Sequence, residues 1–85
     1  MDKIFISNEI KAEILRICGI SVIKPYNLAG GTPLNKLNKN DIFCRELEIK
    51  LQHIATKYQT GKVISEGDIS HDYTVNQCIK LVFAE

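Results

Sequence analysis

Residues 41–59, DIFCRELEIKLQHIATKYQ, set Phe43, Leu47, Leu51, Ile54 and Tyr58 at successive spacings of four, four, three and four. On an α-helix these side chains form one stripe, flanked by Cys44 and Ala55, which predicts an amphipathic helix facing a core. The opposite face takes Arg45, Glu46, Glu48, Lys50, Gln52, His53 and Lys57. Asp41 with Arg45 and Glu46 with Lys50 are acid-before-base pairs four residues apart, each worth about 0.3 kcal/mol. Any fold for this chain has to cover that stripe.

The remaining segments are short. Residues 3–6, KIFI, read as a first strand. Ser7 then stands where an N-cap belongs, with Glu9 early in the next turn to favour the helix dipole. Ile10, Ile14, Ile17 and Cys18 stripe a first helix that Gly19 terminates. Residues 20–24, ISVIK, read as a second strand closed by Pro25, which has no N–H to donate to a ladder. Residues 26–40 are irregular, with turn chemistry at Gly30-Gly31 and Thr32-Pro33 and room for one turn of helix around Leu34 to Leu37. Loops of this length often bind partners.

After Thr60-Gly61 the apolar period shortens to two. Residues 62–69 predict a strand, His71-Asp72 a turn, and residues 73–83 a last strand with Tyr73, Val75, Ile79, Leu81 and Phe83 on one face. The expectation is a single α+β domain over 1–85, a two-layer sandwich in the order β-α-β-loop-α-β-β with a C-terminal antiparallel hairpin.

Eighty-five residues suffice for one small core. The apolar runs are far shorter than the roughly 20 residues that span a bilayer, and the N-terminus has no basic start leading into a long apolar stretch. The three cysteines, Cys18, Cys44 and Cys78, are an odd set without a CxxC. They read as buried thiols in a reducing cytoplasm. The net charge of +1 is unevenly spread, with seven bases against three acids over 24–62 and four acids against Lys80 alone from Val63 onward.

Chemistry-bearing patterns are sparse. His53 lies on the polar face nearly opposite Cys44, so the two form no nucleophile–base pair. His71 sits among Asp68, Ser70 and Asp72, residue types that turns use anyway. No GxSxG, HExxH or P-loop pattern is present, and the cysteines and histidines lack the clustering that holds zinc. The expectation is therefore no catalytic residue, no metal and no cofactor.

Binding remains. Ile42 and Ile49, seven apart, stand away from the core stripe beside His53 and Thr56, a second apolar strip on a polar face. Glu66, Asp68, His71 and Asp72 form an acidic tip suited to a basic partner surface. Together these predict a cytoplasmic, non-enzymatic binding protein of the inhibitor or immunity type. Its partner would be a toxin or enzyme with a basic surface, and a homodimer through the isoleucine strip is a variant of the same idea. The alternatives are a small subunit of a larger assembly, or a nucleic-acid binder using Lys36, Lys39, Arg45, Lys50 and Lys57.

Overall fold

Ile6, Ile10 and Ile14 recur every fourth residue, and all three are buried along one side of a helix that starts before the β-rich run ends. In the computed structural model, which describes residues 3–38 and 41–83, this helix α1 spans Lys3–Ile17. The N-cap predicted at Ser7 is inside it. The helical spacing of the isoleucines outweighs the local β-propensity of KIFI, because burying three large aliphatic side chains contributes about 1.5–3 kcal/mol each.

Helix α1 ends where the sequence placed its stop. Gly19, at φ +73°, turns the chain so that its N–H donates to the Arg16 carbonyl at 3.1 Å and the Ile20 N–H to the Leu15 carbonyl at 2.9 Å. This is a Schellman closure, which satisfies carbonyls that a helix end otherwise leaves open. The segment predicted as a second strand, 20–24, returns as bends and leads into a single 3-10 turn at Pro25–Asn27.

The long helix α2, Asp41–Lys57, forms where its period requires. Phe43, Leu47, Leu51, Ile54 and Ala55 are all buried against the isoleucines of α1. The helix finishes in a second Schellman closure with a non-glycine pivot. Gln59 takes φ +53°, its N–H donates to the Thr56 carbonyl, and the Thr60 N–H donates to Ala55 at 3.0 Å. Outside the core, Tyr58 donates to the Glu9 carboxylate at 2.6 Å and ties the end of α2 to α1.

The largest correction is at the C-terminus. Residues 73–83 form no strand: α3, Val75–Val82, is a helix that buries Val75, Cys78 and Val82. Thr74 and Gln77 build a capping box, with the Gln77 N–H donating to Thr74 Oγ1 at 3.2 Å and the Thr74 N–H to Gln77 Oε1 at 2.8 Å. Alternation and helical spacing coexist in this short run, and the capping box together with the buried Val75-Cys78-Val82 face favours the helix.

The strand predicted over 62–69 and the acidic hairpin are absent too. The segment is an irregular connection pinned by Ile64 and Ile69, its two buried residues. Among the described residues the β pairing is an isolated antiparallel bridge between Pro33 and Thr74. The expected α+β sandwich is thus replaced by three helices around one hydrophobic cluster, with α1 packed on α2 and both touching α3. Long connections complete the packing: Leu34, in the 3-10 turn Leu34–Lys36, is fully buried, and the Leu34 N–H donates to the Tyr73 carbonyl at 2.9 Å. The approach there is close: a Cβ on Gly30 would lie 2.3 Å from Asn76 Oδ1, and the exposed Asn76 side chain would have to swing aside to admit it.

Candidate functional site

The outer side of α2 is where sequence-derived candidates and exposed apolar surface coincide. With Phe43, Leu47 and Leu51 turned inward, Ile42 and Ile49 are carried outward two helical turns apart, 63% and 41% exposed, and His53 and Thr56 continue the exposed side. Arg45 flanks this strip. Its guanidinium reaches Glu48 Oε1 at 3.3 Å and lies 4.0 Å from the Glu66 carboxylate across the chain.

Glu48 explains why Glu66 is there. The polar face assigned from the wheel included Glu48, but its side chain is 2% exposed, among the most buried in the molecule. Glu48 Oε2 accepts the N–H groups of Gly67 and Ile69, each at 2.9 Å. One turn later, Gln52 Oε1 accepts the Ile64 N–H at 2.6 Å. Two α2 side chains therefore supply the acceptors that a neighbouring strand would have supplied in a sheet. A buried carboxylate is tolerable only with such bonds and a charged partner, which Arg45 provides. Within the turn, the Asp68 carboxylate accepts the Ser65 N–H at 2.8 Å.

The acidic tip divides into two places. Glu66, its side chain 79% exposed, stands beside α2, and Asp68 is half-buried in the same turn. His71 and Asp72 belong to the next turn, beside residues 33–36, where the His71 carbonyl accepts the Asn35 N–H at 3.1 Å. The basic set is scattered. Lys36 is exposed on the Leu34–Lys36 turn, Lys50 is half-buried on α2, and Lys39 lies outside the described residues. Lys57 pairs with Glu9 at 3.3 Å, and that hydrogen bond holds its ammonium pKa above the usual value.

The thiols are structural in chemistry. Burial pushes Cys18 up to about 11 and Cys78 up to about 12, so both stay protonated at neutral pH and make poor nucleophiles. Cys18, Cys44 and Cys78 are thiols, not joined in disulfides. Among the described residues no group of three His, Cys, Asp or Glu is placed to hold a metal, and no helix is long and apolar enough to cross a membrane.

Two features escaped sequence reasoning. Glu48 follows Leu47 and sits one turn before Leu51 and two before Ala55, at the edge of the buried stripe; that position was a readable signal of burial. The capping box Thr74-Val-Asn-Gln77 was equally readable. No protein-family model, no curated protein and no solved structure matches the chain.

Proposed function

We propose that this chain is a non-enzymatic protein-binding module of the inhibitor or immunity type, acting in the cytoplasm. It seats a partner protein on the outer face of α2 and the adjoining 65–68 turn. The observation that carries the reading is the exposed Ile42–Ile49 strip on a helix whose opposite side is fully committed to the core. Around that apolar centre stand Arg45, Glu46 and Glu66, a polar rim of the kind that gives specificity and register. The turn is held to α2 by Glu48 through two backbone bonds, so the surface is preorganised and binding has little loop ordering to overcome. Thiols rather than disulfides at Cys18, Cys44 and Cys78 accord with a reducing compartment.

The nucleic-acid reading has less support. Arg45 is engaged by Glu48 and Glu66, and Lys57 by Glu9, which leaves the basic residues of α2 largely compensated within the chain. A phosphate-tracking helix needs its cations free to release counterions.

The test is capture of partners from the native lysate with and without nuclease, followed by titration of the identified protein against wild type, Ile49→Asp and Glu66→Lys. Ile49→Asp is expected to weaken the complex about tenfold or more, as loss of a central apolar anchor does. Glu66→Lys is expected to slow association without unfolding the chain. Wild-type affinity and association rate in both variants, or an empty capture, would sink the proposal. A bound pool that vanishes with nuclease would move the reading to nucleic acid.

A further inference from the structure

The closure of α1 at Gly19 makes a second feature, which no α2 residue lines. The chain folds back after the helix, and an open groove of about 450 Å³ lies between the last turns of α1 and the 19–25 segment. Its walls include the apolar side chains of Ala12, Leu15, Ile20 and Ile23. Arg16 and Lys24 also line it, both exposed, and no carboxylate does. The volume falls in the range of small-molecule sites, roughly 300–1,000 Å³.

The lining of this groove carries two cations and no carboxylate, so its charge is net positive although Glu13 pairs with Arg16 and Glu46 also acts on it. Arg16 gives its Nη2 to Glu13, but a guanidinium has five N–H donors and one such pair leaves most of them available. Lys24 adds a second cation. The C-terminal end of a helix repels an anion, an effect softened here because three of its carbonyls accept N–H groups: Ile14 from Cys18 at 3.1 Å, Leu15 from Ile20 at 2.9 Å, and Arg16 from Gly19 at 3.1 Å.

From this pairing of an apolar wall with two cations we infer that the groove binds a small organic anion, a monocarboxylate with an unbranched apolar body. The tail lies against Leu15, Ile20 and Ile23, and the carboxylate meets Arg16 and Lys24. A neutral or cationic molecule of the same shape gains the apolar contact alone, or meets repulsion. The inference does not depend on the reading of α2, since the two surfaces share no residue.

The experiment is titration of the ¹⁵N-labelled full chain with octanoate, octanol and octyltrimethylammonium, below micelle-forming concentrations. Octanoate is expected to give saturable shifts centred on amides of residues 12–25, octanol weaker ones, and octyltrimethylammonium none that saturate. Arg16→Ala and Lys24→Ala should each weaken octanoate about threefold, the scale of one exposed charge contact, and leave octanol unchanged. Both side chains are exposed, so the variants should keep the wild-type unfolding midpoint. Equal affinity for the three probes, shifts centred on the α2 core, unchanged octanoate binding in the double variant, or no saturable binding would each overturn the assignment.

Discussion

The Glu48 carboxylate and the backbone N–H of Ile69 meet at 2.9 Å across twenty-one residues of chain, both buried. That bond and its twin to Gly67 decide the path of the long 58–74 connection. Glu48→Ala removes the acceptor and leaves two N–H groups short of a partner. It is expected to cost about 2–4 kcal/mol, a large part of the stability of a domain this size. Glu48→Gln keeps one acceptor and should cost about 1–2 kcal/mol. Urea titration measures both. Hydrogen exchange at Gly67 and Ile69 should show protection falling there before it falls at Leu51.

Thr74→Ala removes one half of the capping box. For a helix of only eight residues, which could not persist alone, the expected loss is about 1 kcal/mol. Thr74→Ser should retain most of it. A Thr74→Ala urea midpoint equal to wild type would show that the α3 packing face suffices without its cap.

Gln59 is the non-glycine residue at positive φ among the described residues, and it is the pivot that ends α2. Gln59→Gly relieves the left-handed strain and should raise stability by about 0.5–1 kcal/mol. Gly19→Ala imposes the same strain at the end of α1 and should lower it by a similar amount, both read from the thermal midpoint.

Alkaline pH should destabilise the fold through its thiols. Cys78 is pushed from 9.0 up to about 12 and Cys18 from 9.0 up to about 11, each by burial first. A folded-state pKa raised above the unfolded one confers stability that is fully present below pH 9. It is lost progressively as pH rises from 9 toward 11 and 12, because only the unfolded chain releases the proton there. The hydroxyl of Tyr58, raised chiefly by its bond to Glu9, acts in the same direction above its ordinary 10.0. Urea midpoints followed from neutral pH to about pH 10.5 should therefore fall. Cys78→Ala, though less stable overall, should show a shallower fall; an identical slope would mean Cys78 contributes nothing to it.

The strongest period in the chain was the most dependable guide. The 41–59 stripe became α2, Asp41–Lys57, with Phe43, Leu47, Leu51 and Ile54 inward as named and Tyr58 left half-buried in the turn beyond it, and Gly19 ended α1 as expected. The short runs misled. KIFI and 73–83 suit a strand by composition, yet each carries a helical set of apolar residues, Ile6-Ile10-Ile14 and Val75-Cys78-Val82, and burying that set outweighs local preference. In the candidate site, Ile42 and Ile49 were legible as outward-facing from the same wheel. The grouping of Glu66 with Arg45, and its separation from His71 and Asp72, was not, because neighbours in sequence part company when the chain turns.

What the sequence alone determined is the element with many residues in agreement: a long helix from Asp41, its buried stripe and its exposed isoleucines. Hydrophobic period is local information, and over four or more turns it leaves little choice. What only the tertiary structure decided is how the backbone of 60–72 satisfies its hydrogen bonds. A chain segment without period can pair with a strand or with side chains, and the outcome depends on what packs beside it. Here Glu48 and Gln52 face that segment from α2, and their carboxylate and amide oxygens take the place of a sheet.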